Sequence, residues 1–167
     1  MAQERVSEMN VLAIDPAFGL SRYVSKTGFA LFLDDKLVEY GGLSAGQAVD
    51  FGTRVNLLKQ VTHLAIEDQW HGRNIQVMKG LVMAAAWWIV PAHDLFGHTI
   101  IRVSPQEWQK AVTRGWKFGR GSRKDNPAIE HYVRHRWGLA ENVLLTPDML
   151  SAICIGSVAM YREGIKG

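Results

Sequence analysis

A chain of 167 residues and 18.7 kDa has the size of one domain and is long enough to bury a core without disulfide or metal staples. Its 47% hydrophobic and 21% charged residues argue against a disordered or membrane class, and the lone cysteine, Cys154 within an apolar helical run, excludes an internal disulfide. The net charge of +3 is mild, so where the cations sit matters more than their sum.

In chain order, Val11–Asp15 reads as a short buried strand. Thr27–Leu33 and Lys36–Tyr40 flank Asp34-Asp35 in the pattern of a hairpin, which makes three antiparallel strands. Gln47–Gln60 has an imperfect helical pattern with apolar residues at Val49, Phe51, Val55, Leu57 and Leu58. His63–Glu67 reads as a fourth strand, Asn74–Val90 as the strongest helix and Thr99–Val103 as a fifth strand. Ser104-Pro105 opens a helix to about Val112, with Ser104 as cap and Glu107 at the capping-box position. Asn126-Pro127 starts another helix that Gly138 stops after Trp137, and Thr146-Pro147 opens a last one reaching about Tyr161.

No linker or repeat interrupts this order, so residues 1–167 are expected to form one α/β layer domain with a mixed sheet. The apolar stretch Gly80–Pro91 is too short to span a bilayer and is expected to be a buried helix, with no membrane partner. The charged N-terminus lacks a signal-peptide pattern, and the expected location is the cytoplasm.

Three acids stand out. Asp15 closes the apolar run Val11–Ile14, Glu67 closes Leu64–Ile66, and Asp148 lies in the first turn of the last helix. Carboxylates at strand ends are held rigidly at a sheet rim, and several converging there make a cage for hard divalent cations. Taken singly, Asp15 is also a turn residue before Pro16, Glu67 a strand-end charge and Asp148 an acid near a helix N-terminus. Ser151, three residues on, shares the helix face of Asp148 and would sit at the fringe of the site. A second feature is the run from Thr113 to Lys124, which carries Arg114, Lys117, Arg120, Arg123 and Lys124 with Trp116 and Phe118 among them and no acid. Exposed aromatics between cations favour nucleic acid over a merely solvated loop. His131 and His135 are four apart but lack a further zinc ligand, and neither a nucleophile elbow nor a phosphate-binding glycine loop is present.

Ile14-Asp-Pro16 with Gly28 downstream, Ala65-Ile-Glu67 and Asp148-Met-Leu-Ser-Ala-Ile-Cys-Ile-Gly156 together resemble, in order and spacing, the RuvC Holliday junction resolvases. The resemblance runs from about Val11 to Met160. It implies a ribonuclease H-like fold: a five-stranded mixed sheet, three antiparallel strands followed by parallel ones, with helices on both faces. It further implies a homodimer, paired through the helix at about Asn74–Val90, that nicks four-way DNA junctions with two Mg²⁺ or Mn²⁺ per active site. Asp15, Glu67 and Asp148 match three of the family's four metal-binding acids, while the fourth falls on Ser151. Trp70 matches an aromatic that stacks at the crossover, and the polar, glycine-containing loop His71-Gly72-Arg73-Asn74 that follows favours this over a core tryptophan. Lys124 matches a lysine beside the scissile phosphate, and another family lysine falls on Gln109, with Lys110 next to it. Because of Ser151, a junction-binding protein with weakened catalysis stays open beside the enzyme, as does a nuclease for other branched DNA. An actin-like ATPase scaffold would need duplicated domains and glycine-rich phosphate loops that this chain lacks.

Overall fold

The structure, a computed structural model, describes residues 9–17, 26–68, 75–113 and 127–163. Its five strands are β1 (Val11–Asp15), β2 (Thr27–Leu33), β3 (Lys36–Leu43), β4 (His63–Glu67) and β5 (Thr99–Val103). They lie in the order β3-β2-β1-β4-β5, with β2 antiparallel to both β1 and β3, and with β4 and β5 continuing parallel to β1. This is the mixed sheet expected of a ribonuclease H-like fold. The β2–β3 hairpin turns on Asp34 and Asp35, both at positive φ (50° and 61°), as a two-residue turn matched to strand twist requires.

Alternation along the strands sorts the core into two layers. Val11 and Ala13 of β1, Ala30 and Phe32 of β2, Ala65 of β4 and Val103 of β5 face α4 (Pro105–Val112), α5 (Pro127–Trp137) and α6 (Pro147–Arg162). Leu12, Ile14, Phe29, Leu31, Leu64 and Ile66 face α2 (Phe51–Leu58) and α3 (Ile75–Asp94) on the other side. Helices therefore cover both faces. Helix α6 is the central one: every residue from Leu150 to Gly156 is buried, and the Cys154 thiol, wholly enclosed, has its pKa pushed up by that burial.

The structure corrects the sequence reading at four places. Gln47–Gln60 is two helices, α1 (Ala45–Val49) and α2, because Asp50 is extended (φ −66°, ψ 119°) and ends one while its carboxylate accepts the Thr53 N–H (2.7 Å) to cap the next. Strand β3 continues to Leu43, since Gly41 and Gly42 stay paired with Phe29 and Gly28. Ser104 does cap α4, accepting from the Glu107 N–H at 3.2 Å, but the Glu107 carboxylate turns to Arg162 (3.3 Å) instead of completing a capping box.

The fourth correction concerns α3. It runs through Pro91 to Asp94, and with 20 residues it is, by length and composition, apolar and long enough to cross a membrane. Proline at position 91 offers no N–H to the carbonyl of Trp87 one turn earlier. The guanidinium of Arg54, on α2, donates to that carbonyl instead, so the helix continues. Nor is α3 fully buried: Gly80, Ala84, Trp88 and Ala92 face inward, while Val82, Met83 and Val90 are exposed.

Candidate active site

Strands β1 and β4 run parallel with Ile14 opposite Ile66, so the next residues, Asp15 and Glu67, end adjacent strands at the same edge of the sheet. Ile14 and Ile66 belong to the α3 layer, and alternation therefore turns Asp15 and Glu67 to the α6 layer. Both are buried, at 1% and 3% exposure.

Helix α6 delivers the third acid to that face. Thr146 caps it, accepting from the Met149 N–H, Pro147 occupies the first turn, and Asp148 follows, where a carboxylate complements the helix dipole. The approach of α6 to the sheet depends on Gly28, the register partner of Asp15 on β2. A Cβ at Gly28 would run into the Asp148 carbonyl oxygen and lie 2.5 Å from the Asp148 carbonyl carbon. Only glycine lets the first turn of α6 lie this close, and Asp148 thereby arrives beside Asp15 from a remote part of the chain.

Buried carboxylates at neighbouring strand ends repel one another and lose hydration, which a bound cation would offset. An all-carboxylate donor set is the chemistry of hard divalent ions such as Mg²⁺ and Mn²⁺, so the residues present fit the metals implied by the sequence. Among the described residues, however, no three Asp, Glu, His or Cys side chains close up into a ready ligand shell. Asp15 and Glu67 end adjacent strands at one sheet edge, and the backbone of Asp148 packs on Gly28 beside them, without closing into a ligand cage.

Ser151 lies one turn deeper in α6, is fully buried, and donates its hydroxyl hydrogen to the Pro147 carbonyl at 3.0 Å. The position where the resemblance places a fourth acid thus belongs to the interior of the helix layer. Asp68, the acid next to Glu67, has its N–H donating to Val103 O (2.8 Å), and alternation turns its side chain, like that of Ile66, to the α3 face, where it borders with Glu67, Met78 and Arg102 a cleft of about 280 Å³. Lys110 is exposed in the last turn of α4. Trp70, Arg73, Asn74, Arg114, Lys117, Arg120, Arg123 and Lys124 lie outside the described residues. The sequence reading passed over Lys26, whose stem crosses Gly42 on the carboxylate face. The signal available for it was Gly41-Gly42 directly after the strand pattern Lys36–Tyr40, since glycines that continue a strand mark a close approach by another group.

No family model matches the sequence, and no curated protein matches it. Solved structures do match its shape. T. thermophilus RuvC in complex with Holliday junction substrate aligns at a TM-score of 0.69 and 17% identity, over 93% of this chain and 96% of that one. A second Thermus thermophilus RuvC structure aligns at 0.66 and 16%, over 93% and 97%. The yeast mitochondrial Holliday junction resolvase aligns at 0.50 and 14%, over 92% and 78%. Together with the strand order and the helices on both faces, these matches show that the chain has the ribonuclease H-like fold of the RuvC resolvases.

Proposed function

We propose that this chain is a divalent-cation-dependent endonuclease that nicks DNA four-way junctions and acts as a homodimer. The observation that carries the reading is the placement of Asp15 and Glu67 at the ends of adjacent strands, with the first turn of α6, which carries Asp148, packed on Gly28 beside them. The likeness of the fold to a RuvC bound to a Holliday junction substrate supports the choice of DNA branch.

In this reading Asp15 and Glu67 hold Mg²⁺ or Mn²⁺, and Asp148 flanks them from α6. Bound there, such ions supply an activated water and charge stabilisation for the leaving oxygen. Lys124 supports the scissile phosphate and Trp70 stacks at the crossover, as the sequence resemblance implies. The carboxylates repel DNA until cations neutralise them, so binding and metal loading are coupled. The exposed outer residues of α3, Val82, Met83 and Val90, suit pairing with the same helix of a second copy. A dyad between two active sites matches a substrate with two equivalent strands to cut.

One observation favours a second reading, a junction-binding protein with weakened catalysis: Ser151 is buried and bonded within its own helix, where the related resolvases are expected to carry a carboxylate. A nicking assay on a synthetic four-way junction and a linear duplex, in Mg²⁺ and in Mn²⁺, separates the two readings. The enzyme reading expects cations to be required, the junction to be preferred, and Asp15→Asn to abolish nicking. Equal nicking by the wild type and Asp15→Asn would remove the carboxylate site from the mechanism. Tight junction binding without nicking in either metal would establish the second reading.

A further inference from the structure

We infer that Lys26 is a phosphate-binding residue of the carboxylate site, gripping the DNA backbone beside the phosphate to be cut; this rests on the proposed function. The argument begins with sheet register. Gly42 of β3 pairs with Gly28 of β2, and Gly28 pairs with Asp15 of β1, so the three positions form a row across the sheet that Glu67 continues on β4. Residues directly opposite in a sheet present their side chains to the same face. At Gly28 that face is covered by the first turn of α6, at Asp148.

At Gly42 the same face is covered by Lys26. A Cβ built on Gly42 would lie 3.1 Å from the Cδ of Lys26, 3.3 Å from its Cβ and 3.8 Å from its Cγ. The aliphatic stem is thus laid across the strand in the space left by a missing side chain, while the residue as a whole remains exposed. Reading along the row, a lysine stem covers Gly42, Asp148 covers Gly28, and Asp15 and Glu67 follow. Lys26 immediately precedes β2, two residues before Gly28, so its backbone lies one strand spacing across and two residues along from Asp15, roughly 8 Å away. Its stem runs over Gly42 toward β3, so the side chain borders the row of acids at its β3 end, at a separation comparable to a Debye length at moderate salt. A nucleic-acid strand laid along this edge meets a fixed cation just where the acids would otherwise repel it. Packing of the stem against backbone also restricts the side chain before DNA arrives, which reduces the ordering cost of the contact.

The test is the salt dependence of DNA binding, measured at equilibrium in Ca²⁺ with a synthetic four-way junction and with a linear duplex. Lys26→Met keeps a stem of similar length over Gly42 and removes the charge. It is expected to leave the melting temperature unchanged, to weaken junction binding several-fold, and to flatten the plot of log binding constant against log salt by about 0.9, the slope lost with one phosphate contact. Lys26→Arg is expected to restore the slope. A Lys26→Met slope equal to that of the wild type, with the wild type preferring the junction, overturns this inference and leaves the proposed function standing. A wild type that binds duplex as tightly as junction removes the junction reading, and the slope difference on both DNAs then still decides the role of Lys26. Binding to neither DNA sinks both.

Discussion

Gly28→Ala isolates the contact on which the geometry of the site depends. The added methyl would lie 2.5 Å from the Asp148 carbonyl carbon, whereas ordinary contact begins at 3.4 Å, and the obstacle is backbone rather than a flexible side chain. The first turn of α6 must therefore lift by about 1 Å. Overpacking of this kind costs about 1–3 kcal/mol, offset by about 0.5–1 kcal/mol from replacing glycine within a strand. For a chain of this length the remainder, about 0–2.5 kcal/mol, corresponds to a melting temperature lower by up to about 10 °C. The displacement acts on Asp148 itself, and a misplacement of about 1 Å in a catalytic group can reduce the rate by about 10²-fold. Gly156→Ala is the matched control: its methyl would lie 2.8 Å from Cζ of the buried Phe32, on the same helix but about 12 Å from Asp148. Both variants should melt earlier in a thermal scan, but below their transitions only Gly28→Ala should lose most of its junction nicking and most of the stabilisation conferred by Mg²⁺. If Gly28→Ala nicks at the wild-type rate, or if Gly156→Ala loses as much activity, the contact between Gly28 and Asp148 does not position the site.

Ser151→Asp buries a carboxylate where the serine is fully enclosed and its hydroxyl bonds to the Pro147 carbonyl. A cost of several kcal/mol and a fall of about 10 °C or more are expected, with no recovery in Mn²⁺; recovery, with a gain in nicking, would make the position a metal ligand after all. Arg54→Met leaves the Trp87 carbonyl without the donor that replaces the missing Pro91 N–H. A loss of about 1–3 kcal/mol is expected, and in the double variant with Pro91→Ala the penalty should shrink, because alanine returns an N–H to that carbonyl; strictly additive effects in denaturant melts would dissociate Arg54 from the proline.

The sequence alone determined the elements and the acids at their ends. Apolar runs closed by Asp15 and Glu67 marked two strand termini, while Ser104-Pro105, Thr146-Pro147 and Gly138 marked helix boundaries, all through short-range sterics and capping that a few neighbouring residues specify. The break of Gln47–Gln60 at Asp50 was local too, and was missed because an apolar pattern continues across the cap. The tertiary structure decided what depends on partners far away in the chain. Helix α3 survives Pro91 because Arg54, 33 residues before Trp87, supplies that residue's carbonyl with the missing donor. Asp15, Glu67 and Asp148 share a face because β1 and β4 pair in one register and Gly28 lets α6 settle on β2, and a slip of one residue would turn each strand's acid to the other side. The same packing draws Ser151 into the interior and lays Lys26 over Gly42. Such placements are set by the free energy of burying side chains between elements, which residue types and their spacing along the chain do not specify.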